Sequence, residues 1–175
     1  NLELSFKTIT EGEVPRFAGI AHLDLDTIDQ NAVKIATVSV ESGHSSLRCL
    51  DKALDLSKEK LVDGILFAPF NKAAMTAAGL NAEDEHRYIA RYLDFKGYHS
   101  EINVLDELMT TRVTSHIGLK EVAQNITEDG IKRAVNPAYE TLCKAGNKRP
   151  HVAVAALNPH AGDNGKFGRE EIDLI

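Results

Sequence analysis

Five short runs of apolar, largely β-branched residues, separated by stretches of helical periodicity, constrain the fold of this chain more than any other feature. The runs are AVKIATVSV (Ala32–Val40), DGILFAPF (Asp63–Phe70), INVL (Ile102–Leu105), TTRVTS (Thr110–Ser115) and HVAVAAL (His151–Leu157). Their hydrophobicity is continuous rather than alternating, the pattern of strands buried on both faces, as in a parallel sheet. Between them, LRCLDKALDL places Leu47, Leu50, Ala53 and Leu54 on one side of a helix. NKAAMTAAGL starts a second helix near Asn71 and meets a natural stop at Gly79. AEDEHRYIARYL carries Ile89, Tyr92 and Leu93 at helical spacing, and a further helix is predicted from a Thr127 cap to Gly146, with Pro137 expected to break or kink it. Alternating strands and helices predict an α/β fold with a largely parallel sheet and helices on both faces. The first 30 residues are less regular and read as an edge hairpin.

Composition narrows the function classes. A length of 175 residues suits one domain, or one lobe of something larger. With 43% hydrophobic and 26% charged residues the chain is neither disordered nor fibrous. No apolar run approaches the ~18 residues of a membrane-spanning helix. The net charge of −6, with scattered basic residues, argues against a nucleic-acid partner. Cys49 and Cys143 match no zinc or redox spacing, so two packed, reduced thiols in a cytoplasmic protein are expected, and no signal-peptide pattern is seen. The chain begins at Asn1 and ends in EEIDLI, an amphipathic pattern without a cap, and is read as cut at both ends.

Ligands of open α/β sheets gather beyond the carboxyl ends of strands, and three strand exits carry unusual polar groups. At the first, ILFAPFNKAAM presents Asn71 and Lys72 at a helix start, suited to an anionic substrate; a plain cap and a solvated lysine is the simpler alternative. At the second, RVTSHIGLKEV places His116 between strand and helix, where a satisfied polar histidine is the simpler alternative. At the third, HVAVAALNPHAGDNGKFGREE brings His160 before a loop with Gly162, Gly165 and Gly168, through which backbone amides can approach a ligand. Two imidazoles at adjacent exits suit one divalent ion, but a catalytic zinc takes three protein ligands, so a third must come from elsewhere. In HLDLD, His22, Asp24 and Asp26 share a face if the segment is a strand, with a charged edge the simpler reading. No GxGxxG, Walker A, HExxH or GxSxG pattern is present.

At the same three exits the sequence resembles the 4-hydroxythreonine-4-phosphate dehydrogenase family of vitamin B6 biosynthesis and its relatives acting on phosphorylated four-carbon sugar acids. APFNKAAM is similar to the family's PxNK segment, TSHIGLKEV to TTHxPL, and LNPHAGDNGKFGREE to LNPHAGExGxxGxEE, from about residue 33 to the end. The resemblance implies a two-domain α/β fold akin to isocitrate and isopropylmalate dehydrogenases, of which 1–175 is a partial region. It implies NAD or NADP bound without a Rossmann fingerprint, and a homodimer with active sites at the subunit interface. It also implies a divalent metal (Zn, Mg, Co or similar) that assists oxidation of a secondary alcohol and loss of carbon dioxide. His116 and His160 match two metal ligands, the third falling in a later HDQG-like segment. Asn71 and Lys72 match the substrate-side PxNK residues, Lys72 with a catalytic or positioning role. His86 falls at the family's GHTE, with Glu85, Arg87 and Tyr88 replacing its other residues. Arg87 there suits an added anionic group and favours the sugar-acid branch. The competing readings are a non-catalytic binder of small phosphorylated acids and a structural lobe that only dimerises.

Overall fold

The computed structural model describes residues 5–13, 17–29, 31, 33–82 and 84–175, and falls into two units, Asn1–Lys96 and Gly97–Ile175. In the first, strands β1 (Phe6–Ile9) and β2 (Ile20–Leu23) pair in parallel, Phe6 opposite Ile20 and Ile9 opposite Leu23. The expected edge hairpin is therefore corrected, because a hairpin needs antiparallel neighbours. Helix α1 (Val40–Lys58) starts at Ser39, whose hydroxyl accepts from the Ser42 amide at 3.1 Å. This cap overrides the β-branched run predicted as a strand through Val40. Ile35 in that run is almost wholly exposed, and Ala32 lies outside the described residues.

Helix α2 (Lys72–Ala77) begins where the sequence predicts, with the Asn71 side chain accepting from the Ala74 amide at 3.0 Å. Gly79, at φ +95°, turns the chain out after it, a conformation costly for any residue with a Cβ. Helix α3 (Glu85–Tyr92) starts at Asp84, whose carboxylate accepts from the Arg87 amide at 2.9 Å. Leu50 and Leu54 of α1, Met75 of α2 and Leu80 form the buried core, with Tyr88, Ile89, Tyr92 and Leu93 packed on it. Leu50, Leu54, Ile89, Tyr92 and Leu93 are residues that helical spacing places inward, and Met75, Leu80 and Tyr88 join them. Gly43 lies where α1 crosses α2: a Cβ there would sit 2.5 Å from the Ala74 carbonyl carbon and 2.8 Å from the Ala78 Cβ.

In the second unit, strands β3 (Asn103–Leu105) and β4 (Leu108–Thr110) form a hairpin turned at Asp106, φ +50°. A 3-10 turn (Leu119–Glu121) leads into the short helix α4 (Val122–Asn125). Helix α5 (Glu128–Lys144) is capped by Thr127, as predicted, but runs unbroken through Pro137. About two helical turns on each side hold it there, so the predicted break is corrected.

The architecture is mixed α/β, but among the described residues the ladders are two separate pairs, one parallel and one antiparallel. The largely parallel sheet predicted from the apolar runs is corrected to that extent. Segments 63–70 and 151–157 carry no ladder, and of 110–115 only Thr110 lies in a strand. Leu66 is fully exposed, and Val152 and Val154 are also exposed. The physical reason is that an apolar run states what a segment can bury; a strand exists only where a second backbone meets its amides and carbonyls. Cys49 and Cys143 are free thiols, but exposed rather than packed. HLDLD does not present one strand face: β2 ends at Leu23, and the Asp26 amide turns back to donate to Asp24 Oδ1 at 2.9 Å, with Asp26 at φ +46°. Among the described residues no helix is long and apolar enough to cross a membrane.

Candidate active site

In the first unit the structure draws two of the predicted site segments together. Lys72, the first residue of α2, places its Nζ 3.3 Å from the Oε2 of Glu85, the first residue of α3. The ammonium is more than half exposed while the carboxylate is largely covered, so the pair fixes the lysine's direction and leaves it accessible from solvent. Asn71 uses its side-chain oxygen as the α2 cap, so the same amide's Nδ2 is the atom suited to a ligand oxygen.

His86 and Arg87 are organised by one buried carboxylate. Asp84, only 6% exposed, lies 3.3 Å from His86 Nδ1 through Oδ1 and 3.8 Å from Arg87 Nε through Oδ2, besides capping the helix. The sequence reading passed over Asp84, although an Asp immediately before a helical run is a cap signal. Two phenols then tie α3 to α1. Tyr88 Oη donates to Asp51 Oδ1 at 2.5 Å and Tyr92 Oη to Asp55 Oδ1 at 2.9 Å. Phenols and carboxylates both recur every four residues, so one helical face matches the other. Desolvation, reinforced by the Asp51 carboxylate, pushes the Tyr88 phenol well above its usual range. Desolvation and the Asp55 carboxylate push Tyr92 up to about 12.

In the second unit, His116 and His160 stand on separate loops, both exposed and both in the left-handed region, at φ +56° and +52°. That conformation costs a residue with a Cβ ~1–2 kcal/mol. His160 opens a left-handed turn, His160–Gly165, in which Ala161, Gly162, Asp163 and Asn164 all have positive φ. The turn closes through Phe167, whose amide donates to the Gly162 carbonyl at 2.9 Å. Gly162 is buried, and a Cβ there would strike the Gly168 carbonyl. A helical turn, Glu170–Asp173, follows and clamps the entry of the loop. The Glu171 carboxylate accepts from the Asn158 backbone amide, and the Asn158 Nδ2 donates to Glu170 Oε2 at 3.3 Å. The Asn158 amide holds the Glu171 carboxyl below its usual range.

Neutral imidazoles are good ligands for zinc-like divalent ions, and His116 and His160 are exposed imidazoles of that kind. Among the described residues no three His, Cys, Asp or Glu side chains are grouped to hold one.

The family model for pyridoxal phosphate biosynthetic protein PdxA matches residues 1–175. A Pseudomonas aeruginosa protein provisionally named 4-hydroxythreonine-4-phosphate dehydrogenase 2 is 43% identical over 137 residues, 78% of this chain and 41% of that protein. A D-threonate 4-phosphate dehydrogenase from Pectobacterium atrosepticum is 32% identical over 147 residues, 84% of this chain and 45% of that one. The crystal structure of a 4-hydroxythreonine-4-phosphate dehydrogenase from Klebsiella pneumoniae superimposes with a TM-score of 0.81 at 28% identity, covering 99% of this chain and 53% of that one. The chain spans about half the length of the relatives it matches.

Proposed function

The chain belongs to the PdxA family, and from that premise we propose that it forms part of a metal-assisted, NAD(P)-dependent dehydrogenase acting on a phosphorylated four-carbon hydroxy acid. The substrate is 4-hydroxythreonine 4-phosphate or a related 4-phosphosugar acid. Its secondary alcohol is oxidised; a bound nicotinamide would supply the hydride acceptor, and the proton leaves to solvent or a base. The resulting β-keto acid then loses carbon dioxide. The observation that carries the proposal is the match of the family model along all 175 residues. The local geometry is consistent with it, because the segments bearing Lys72 and His86 meet through the Lys72–Glu85 ion pair.

In this reading the chain's own side chains bind and orient. Lys72, steered by Glu85, neutralises a carboxylate or phosphate oxygen and keeps the anion in register. Proton transfer is its secondary assignment. Asn71 Nδ2 donates to a substrate oxygen. His86 and Arg87, both held by Asp84, also donate to the substrate, the guanidinium selecting an acid over an amine. His116 and His160 would hold the divalent ion, whose chemistry there is Lewis-acid polarisation of the reacting oxygens. The left-handed turn after His160, buttressed by the Asn158–Glu171 clamp, sets that imidazole's direction. No described residue is assigned to the dinucleotide. A two-domain whole akin to isocitrate dehydrogenase and a homodimer with interfacial active sites belong to the same proposal.

The test is NADH formation over a panel of phosphorylated four-carbon hydroxy acids with added divalent metal. His160→Ala should abolish metal-dependent turnover; retained activity would defeat the assignment. A second reading, a binder of small phosphorylated acids without turnover, is favoured by the lack of a three-donor cluster among the described residues. Substrate binding seen by calorimetry with no NADH formed on any panel member would establish it.

A further inference from the structure

We propose that the depression along the exposed stripe of α5 binds a small zwitterion, an α-amino acid with an apolar side chain. The depression has a volume of about 290 Å³ and is lined by Tyr98, Asp129, Lys132, Arg133, Asn136 and Pro137. That is just under the usual range for drug-sized ligands, so it suits a compact molecule. All six residues lie in the second unit. The five from α5 recur every three or four residues, which puts them on one face of the helix. None of them has a role in the dehydrogenase reading, so the site stands or falls apart from it.

The charges in the wall select a ligand of both signs. Lys132 is matched by Glu128, whose Oε1 lies 2.5 Å from its Nζ, while Asp129 reaches Lys132 only as a longer-range attraction. Asp129 and Arg133 remain, four residues apart, the spacing at which opposite charges pair along a helix. Among the described residues neither has a partner within ion-pair distance, and both line the depression. A lone anion drawn to Arg133 meets the Asp129 carboxylate one turn away, and a lone cation meets the converse conflict; a zwitterion satisfies both. The guanidinium fork takes a carboxylate through two N–H bonds, and the Asp129 carboxylate accepts from an ammonium. Tyr98 and the half-buried Pro137 give the side chain an apolar surface. Pro137 points the same way independently. Proline is the costliest residue for a helix interior, yet α5 keeps one in its middle. It has no N–H to give, so the Arg133 carbonyl one turn back loses its intrahelical donor and is left as an acceptor for a ligand N–H. A residue that breaks a local rule in this way is expected at a functional site.

The test titrates the full chain with L-phenylalanine, and separately with 3-phenylpropanoate, which lacks the ammonium, and 2-phenylethylamine, which lacks the carboxylate. Calorimetry reads affinity, and amide NMR shifts read location. Expected are saturable binding of phenylalanine, shifts centred on Tyr98 and residues 128–137, and about tenfold weaker binding of each one-charge analogue. Asp129→Asn and Arg133→Gln should each weaken phenylalanine binding about tenfold, the loss of one charge-assisted contact. Pro137→Ala, which returns an N–H to the Arg133 carbonyl, should raise Tm and weaken affinity about threefold. Failure of phenylalanine to saturate, shifts confined to other segments, an analogue that binds as tightly, or unchanged affinity in any of these variants would overturn the inference. The wild-type shift map and the analogue comparison decide the matter even if a variant misfolds.

Discussion

Replacing Gly43 by alanine tests whether the crossing of α1 over α2 is as tight as the geometry shows. The new Cβ would lie 2.5 Å from the Ala74 carbonyl carbon and 2.8 Å from the Ala78 Cβ, with the Ala74 carbonyl oxygen closer still. Ordinary contact begins near 3.4 Å, so the helices must separate by at least about 0.9 Å at this point, since neither carbonyl nor Cβ can rotate away. Overpacking of this kind costs ~1–3 kcal/mol, offset by the ~0.5–1 kcal/mol that alanine contributes over glycine inside a helix. With the carbonyl oxygen as the closest atom the overpacking falls in the upper part of its range, so the net loss is about 1–2 kcal/mol, a fall of roughly 2–8 °C in Tm for a chain of this size. Thermal unfolding followed by circular dichroism measures it, and Gly43→Val, bulkier and β-branched, should fall further. Because α2 carries Lys72, the same variant should loosen the Lys72–Glu85 pair before it unfolds the chain. A Tm equal to or above wild type would show that α2 is not where the structure puts it. The reasoning built on that crossing would then fail.

Alkaline titration should be delayed at the α1–α3 contact. Tyr88 and Tyr92 have raised phenol values in the fold, so their stabilisation is complete below the ordinary value of 10.0 and is lost as pH climbs through about 12 and beyond; phenolate absorbance followed alongside unfolding reads this. Tyr92→Phe should cost about 1 kcal/mol near neutral pH, a part-buried hydrogen bond, and, having no phenol to ionise, should flatten the loss of stability above the ordinary value of 10.0; an unchanged alkaline slope would contradict the ladder. The Glu171 carboxyl is lowered by the Asn158 amide. The clamp is therefore complete above the ordinary 4.5 and opens as pH falls through the lower folded value, visible as acid-induced faster amide exchange at Asn158 that Glu171→Gln abolishes. Gly162→Ala, at φ +63° against the Gly168 carbonyl, should open the left-handed turn at a cost of ~1–2 kcal/mol in backbone strain alone. Exchange across 158–171 would accelerate with far-ultraviolet dichroism unchanged; protection at the wild-type level would show that the turn does not need a glycine.

Local chemistry made much of this protein readable from its residues alone. Ser, Thr, Asn and Asp caps set the starts of helices because a side-chain oxygen finds an amide three residues on; Asn71 and Thr127 were read this way, while Ser39 and Asp84 follow the same rule unread. Leu50, Leu54, Ile89 and Leu93 point inward because their spacing is helical. The three segments that carry the family likeness were legible for the same reason: their chemistry is written in contiguous residues. Pairing of strands was not, since it joins backbones remote in sequence, and the apolar run before Ser39 lost to a cap that forms locally. Nor could sequence show Lys72 meeting Glu85, one Asp84 carboxylate serving both His86 and Arg87, or Tyr98 sharing a depression with Asp129 and Arg133. Each of these joins side chains whose separation is set by how elements pack and turn, a property of the assembled fold.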